Sequence, residues 1–208
     1  MRYGLFSDVH SNAKSLCRAL TILKPRVDKI FHLGDIIGGV AGNSENSELA
    51  INILKSNGIE GVGGYHDEEW EIERENLSES AREFLTRLPK MISLNGGTIL
   101  THANPVPLYS QGGPWIAGGY IQKMPDAKKV FDGCKHKTML IGHTHIASAF
   151  SDSGEQHLFK EGGKIELDPS KRYILNPGSV GEPRDGSFFS VAIYDPGART
   201  FEVIRYKK

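Results

Sequence analysis

Apolar positions in the first part of the chain fall into short runs joined by stretches of helical spacing. Tyr3-Gly4-Leu5-Phe6 is a short apolar run ending in Ser7-Asp8, and it predicts a buried strand. From 12 to 23, Leu16, Leu20 and Leu23 recur at helical spacing, and Pro25 stops the pattern. Residues 27–33 predict a second strand, ending in Gly34-Asp35. Residues 48–54 predict a second helix, closed by Asn57-Gly58. A third strand at 59–62 ends in Gly63-Gly64-Tyr65-His66-Asp67, and an acidic, helical stretch follows to Leu88. Strand–helix steps at this spacing imply βαβ units and a parallel sheet.

Beyond Leu88 the pattern changes. Residues 91–94 and 98–100 flank Asn95-Gly96-Gly97, a hairpin signal. Residues 139–141 predict another buried strand. From Ile146 onward short β runs alternate with Gly, Asp and Pro turns, and 188–194 pairs with 200–206 around Asp195-Pro196-Gly197. The expected architecture is a mixed sheet, parallel first and antiparallel later, in two packed layers. Residues 1–208 are read as a single domain.

Composition narrows the function. Glycine, at 24 of 208 residues, exceeds its usual share of about 7%, so many backbone positions need positive φ or close approach. Lys+Arg and Asp+Glu are both 25, so the basic excess of a protein that lives on long nucleic acid is missing. No apolar stretch nears the ~20 residues of a membrane helix. The opening MRYGLFSDVH reaches an acidic residue too early for a signal peptide. Cys17 and Cys134 form no CxxC and no disulfide framework; both read as small core residues in a reducing, cytoplasmic setting.

The unusual polar residues collect at predicted strand ends, where open α/β sheets bind ligands. Asp8-Val9-His10 follows the first strand, Asp35 the second and His66-Asp67 the third. Thr101-His102 follows the hairpin strand, and His143-Thr144-His145 the strand after it. Residues two apart in an extended segment point the same way, so Asp-x-His and His-x-His can each face one centre. Carboxylate and imidazole without thiolate suit Mn²⁺, Zn²⁺, Fe or Ni. Five clusters exceed the needs of one ion. A shared carboxylate bridging two ions is their simplest use, and such pairs, roughly 3.5–4 Å apart, clamp an in-line displacement at phosphorus.

In this order, Asp8-Val9-His10, Gly34-Asp35, Gly64-Tyr65-His66-Asp67, His102 and Gly142-His143-Thr144-His145 resemble the motifs of calcineurin-like metallophosphoesterases. Asn176-Pro177-Gly178-Ser179-Val180-Gly181, with Pro183-Arg184-Asp185-Gly186, resembles the small bacterial and archaeal phosphodiesterase branch of that family. The resemblance implies a four-layer α/β/β/α sandwich with mixed sheets and two divalent metal ions, Mn first, with Ni, Zn or Fe as the others. It implies Asp8, His10 and His145 on the first metal, Asp35 bridging, and His102 and His143 on the second. It further implies a hydroxide between the ions that attacks phosphorus. His66 then stabilises phosphoryl charge or protonates the leaving oxygen, with Asp67 orienting it.

Tyr65 departs from the family pattern, which has a metal-binding Asn there. Three readings stand. Tyr65 turns away and water replaces it, or its phenolate ligates a harder ion such as Fe³⁺, or the second site is lost. The implied activity is that of a phosphodiesterase on a small nucleotide-like substrate, with no membrane or long nucleic acid as partner and an oligomeric state that the sequence leaves open. The alternatives are a protein phosphatase, a dinucleoside polyphosphate hydrolase, or a non-catalytic scaffold of the same fold.

Several residues carry two readings. Asn12 touches a phosphate oxygen or, with Ser11, caps the first helix. Arg184 pairs with a substrate phosphate or with a carboxylate such as Asp185. The Gly- and Pro-rich segment 103–124, with Tyr109, Trp115 and Tyr120, follows His102; its rings either stack a base or cover the core edge. His32 reads as a packed strand residue, and His136 and His157 as exposed. The acidic 67–83 stretch reads as a solvated helix face, with Glu68 and Glu69 near the site disfavouring highly anionic substrates.

Overall fold

The computed structural model describes residues 1–106 and 119–207. Tyr109 and Trp115 therefore lie outside the described residues. The N-terminal part runs β1 (Tyr3–Phe6), α1 (Ala13–Leu23), β2 (Lys29–His32), α2 (Ser44–Ser56), β3 (Glu60–Gly61), α3 (Glu69–Arg74) and α4 (Glu79–Thr86). It continues with β4 (Met91–Leu94), β5 (Thr98–Thr101), α5 (Met124–Gly133), β6 (Thr138–Leu140), β7 (Ala147–Ser151) and β8 (Gln156–Leu158). The last strands are β9 (Gly163–Glu166), β10 (Tyr173–Pro177), β11 (Phe188–Asp195) and β12 (Thr200–Lys207).

Two boundaries differ from expectation for local reasons. Helix α2 starts at Ser44, ahead of the expected Glu48, because Asn43 accepts a hydrogen bond from the Asn46 amide and caps a polar first turn. The acidic stretch breaks into α3 and α4 around Asn76, whose φ of 51° lies in the left-handed region. It is also not merely a solvated face: Glu71 and Glu75 are buried.

The strands form two six-stranded sheets, ordered β3-β2-β1-β11-β12-β9 and β4-β5-β6-β10-β7-β8. Parallel and antiparallel pairing mix within each sheet, where a single change along the chain was expected. In the first, β1 pairs in parallel with β2 and antiparallel with β11. In the second, β6 lies parallel between β5 and β10.

Period-two alternation then sorts the apolar side chains into three cores. Phe6, Val191 and Ile193 face α1 and α2, while their neighbours Leu5, Ala192 and Tyr194 lie between the sheets. Leu100, Leu140 and Leu175 fill that same middle layer, and Ile99, Met139 and Ile174 pack on Val130 and Phe131 of α5. The result is the expected four-layer α/β/β/α sandwich. His32 is fully buried beside Phe6 and burial lowers its pKa to about 3, so it is a neutral core residue. Cys134 is buried but Cys17 is exposed, contrary to its reading as a core residue. His157 is exposed and His136 half-buried. Among the described residues no helix is long and apolar enough to cross a membrane.

Candidate metal centre

The loops leaving β1, β2, β5 and β6 bring together two groups of donor side chains. Asp8, His10, Asp35 and His145 form one, and Asp35, His102 and His143 the other, each with ligand atoms within 4.8 Å of one another. Asp35 belongs to both. All six residues are buried. His10 Nε2 lies 3.2 Å from His145 Nε2, and His145 Nε2 is 3.3 Å from Asp8 Oδ1. Asp35 Oδ2 is 3.2 Å from His102 Nε2 and 3.8 Å from His10 Nε2.

Two of the rings are oriented by backbone carbonyls. His102 Nδ1 donates to Leu33 O at 2.6 Å, and His145 Nδ1 donates to Glu182 O at 2.5 Å. Each bond fixes a tautomer whose Nε2 lone pair faces the carboxylates, as metal-ligating imidazoles require. His10 Nδ1 and His143 Nε2 are buried without a hydrogen-bond partner among the described residues, whereas His102 Nε2 faces Asp35 Oδ2. Buried polar nitrogens are costly to leave unpaired. The convergence of His10 Nε2, His102 Nε2 and His145 Nε2 on the carboxylates of Asp8 and Asp35 fits divalent ions that accept nitrogen and oxygen ligands.

The backbone that presents these side chains is unusual. Asp8, His10, Asp35, His143 and His145 all have φ between 45° and 68°. The expectation that Asp8/His10 and His143/His145 converge through extended alternation is therefore corrected. They converge because each sits in a left-handed turn. Long-range bonds hold those turns. Val9 N and His10 N donate to Asp35 O, and His143 N donates to both Asp8 carboxylate oxygens at 3.1–3.2 Å. The Asn176–Gly181 run lies against the same loops. Asn176 Nδ2 donates to Gly142 O at 2.7 Å, Ser179 Oγ to Asp8 O at 2.8 Å, and Gly181 N to Asp8 O at 2.9 Å.

Burial and the neighbouring charges set the protonation states. Burial would raise Asp35, but the charge of His102, with His10 and His66, outweighs it and holds the carboxyl well below its usual range. Burial would lower His102, yet Asp35 and then Asp8 push it up to about 9. Burial lowers His10 to about 4 against the pull of Asp35 and Asp8, and lowers His143 to about 4 with help from His102. Burial and the charge of Asp35 raise Asp67 to about 6.

Around this buried centre lies a partly exposed rim. His66 sits half-buried with its ring 5.1 Å from that of His10, and its amide donates to Asp35 Oδ1 at 2.8 Å. The expected pairing of His66 with Asp67 is not present. Asp67 accepts from the amides of Ile36, Ile37 and Gly64, which ties the second and third metal-side loops together. The carboxylate facing His66 belongs to Glu71, with Oε2 3.4 Å from Nδ1. Sequence reasoning missed Glu71 because it sits in an acidic run that reads as solvated. Tyr65 is 38% exposed and its ring packs on Trp70, 5.2 Å away.

On the other side of the rim Tyr120 stacks on His143 at 4.5 Å, and the Arg184 guanidinium lies 5.9 Å from the Tyr120 ring. Arg184 is exposed and makes no ion pair among the described residues. Asp185 instead takes Arg205 in a buried pair, so the expected Arg184–Asp185 bridge is replaced. Asn12 Oδ1 accepts from Ser15 N at 3.1 Å, which is the capping role. Glu68 and Glu69 are paired with Lys90 and Arg82, which removes the repulsion toward anions expected of them.

Comparison with known proteins agrees with this geometry. The model of the calcineurin-like phosphoesterase superfamily domain matches residues 1–198. An uncharacterised protein of Methanocaldococcus jannaschii is 32% identical, over 97% of this chain and 86% of its own length. A metallophosphoesterase structure from Sphaerobacter thermophilus superposes with a TM-score of 0.78 at 27% identity, covering 100% of this chain and 89% of that one. A structure of an archaeal phosphodiesterase shares the fold, with a TM-score of 0.57 and 18% identity over 99% of this chain and 100% of that one. With its two mixed sheets and paired donor groups, this chain belongs to the calcineurin-like phosphoesterase superfamily and is a hydrolase of phosphoric esters.

Proposed function

We propose that this protein is a dinuclear metal-dependent phosphodiesterase acting on a small nucleotide-like phosphodiester in the cytoplasm, with manganese as its first candidate ion. The observation that carries this reading is Asp35, which both donor groups share. Asp8, His10 and His145 would hold one ion with Asp35, and His102 and His143 the other. Divalent ions held there supply Lewis-acid polarisation of the phosphoryl group and water of lowered pKa. The exposed Tyr65 ring, packed on Trp70, supports the reading in which Tyr65 turns away from the second ion.

His66 stands between the donors and solvent, within reach of a phosphoryl or leaving oxygen. Glu71 accepts from Nδ1–H, which leaves Nε2 as the ring nitrogen to donate in that contact when it carries a proton. The exposed guanidinium of Arg184 is free to meet a non-bridging oxygen. The single charge of Arg184 suits a monoanionic diester better than a dianionic monoester. The two free thiols, Cys17 and Cys134, support a reducing compartment.

Metal-stripped protein, given Mn²⁺, Ni²⁺, Zn²⁺ or Fe in turn, should hydrolyse an aryl phosphodiester faster than an aryl phosphomonoester. Asp35→Ala should abolish turnover; activity retained in that variant refutes the dinuclear reading. Preferential turnover of a phosphopeptide or of a dinucleoside polyphosphate would move the assignment to those substrates. A protein inert with every ion, yet binding a protein partner tightly, would be a scaffold.

A further inference from the structure

We infer that Tyr65 and Trp70 form an aromatic platform that stacks the planar base of the substrate, making the site selective for phosphoesters of nucleosides over those of aliphatic alcohols. This rests on the phosphoesterase reading of the adjacent centre. Both rings are exposed, at 38% and 44%, and they lie 5.2 Å apart at 49°. Exposed apolar rings grouped beside a site mark a binding surface.

Their position suits a base. The rings of Tyr65 and Trp70 are each 5.6 Å from that of His66, which is itself 5.1 Å from His10. The platform thus begins one side chain away from the donor group, as a nucleobase sits one sugar away from its phosphorus. Trp70 is also firmly mounted. It lies on α3, whose Glu71, Ile72 and adjoining Glu75 are buried, and Glu75 accepts from Gly38 N at 3.1 Å. A surface already fixed loses little entropy on binding. The carboxylates of Glu68 and Glu69, just before Trp70 in the chain, are paired with Lys90 and Arg82, which lessens their repulsion of an anionic nucleotide. Tyr65 occupies the position of the family's metal-binding Asn, and its side chain turns to this surface.

The chain holds two tryptophans, so Trp115→Phe leaves Trp70 as the sole tryptophan, read by selective excitation of indole. Adenosine 5′-monophosphate should quench that emission saturably, ribose 5-phosphate should not, and Tyr65→Ala should weaken the quench about 10-fold in apparent affinity. Equal responses to the two ligands, or none to either, overturn the platform. A second test does not depend on Tyr65→Ala folding. The ratio of kcat/KM for p-nitrophenyl thymidine 5′-phosphate over methyl p-nitrophenyl phosphate should fall about 10-fold in Trp70→Leu. An unchanged ratio overturns the proposal. Absence of turnover for both esters with the quench intact would refute the esterase reading and support the platform.

Discussion

The sharpest consequence of the site's electrostatics concerns protons released when ions bind. His102 is pushed up to about 9 by Asp35 and Asp8 against its burial, whereas His10 and His143 are lowered to about 4. At pH 7 without ions, His102 carries a proton and the other two do not. An imidazole must be neutral to ligate, so filling the Asp35–His102–His143 group expels one proton. Holding that proton two pH units below the pKa weakens ion affinity by about 2.7 kcal/mol, or ~100-fold, relative to high pH. Between pH 6.5 and 8 the apparent affinity of that group should rise about 30-fold.

Calorimetric titration of Mn²⁺ into metal-stripped protein, in buffers of different ionisation enthalpy, counts the protons directly. At pH 7 His102 should contribute about one per protein. Asp35→Asn removes the charge that raises His102, burial then dominates, and that proton should drop out of the count. Release of no proton by the wild type refutes the assignment of a proton to His102. The ion-free fold should show the opposite pH trend. Its His102 lies above the unfolded value of 6.5, so the stability this contributes is complete below pH 6.5 and is lost as pH rises through 9.

Other outcomes follow from named contacts. Asp35→Asn at saturating Mn²⁺ should lose at least ~10³-fold in kcat/KM, because it removes shared electrostatic stabilisation; steady-state turnover checks this. Glu71→Gln should lower kcat about 10-fold with little change in KM, more for poor leaving groups, since its contact is with the His66 ring. Asp185→Ala should cost about 3–5 kcal/mol in urea unfolding, because Arg205 and the Ala147 amide lose a buried acceptor. Gly181→Ala would put a Cβ 2.0 Å from Val9 O. Backbone must then shift beneath Asp8 and His10, at about 1–3 kcal/mol, and both thermal unfolding and ion titration should register it.

Much of the layer structure was legible because side-chain alternation is a local property. Leu5 and Phe6, or Ile99 and Leu100, declare opposite faces by adjacency alone, and the buried runs at 91–101 and 188–206 found their hairpins. Sheet membership was not local. Strand β1 pairs with β11, the last strand but one, and nothing in either segment names the other. The acidic stretch misled for a related reason. Glu71 and Glu75 sit on the inner side of the helix and its end, where His66, Arg74, Ser47 and the Gly38 amide compensate them. Those partners come largely from elsewhere in the chain, so composition alone read the segment as solvated.

The donor residues were legible as types and order, yet the geometry that joins them was not. Five of the six buried donors occupy left-handed backbone, where a non-glycine residue costs about 1–3 kcal/mol. Alternation along an extended strand would have spread Asp8 and His10 along the sheet; the turned backbone folds both toward Asp35. Such strain persists only where the surroundings over-determine it. Here the surroundings are the Asn176–Gly181 turn and the Asp8–His143 contacts, which clamp one donor loop against the next. A protein using this fold only as a scaffold gains nothing from that arrangement, since relaxing the turns would stabilise it and leave its outer faces unchanged. Protein contacts hold the turns, and ligands completing the convergent carboxylates and imidazoles would give the strained arrangement its use, so the backbone at the donors argues for ion binding alongside the side chains.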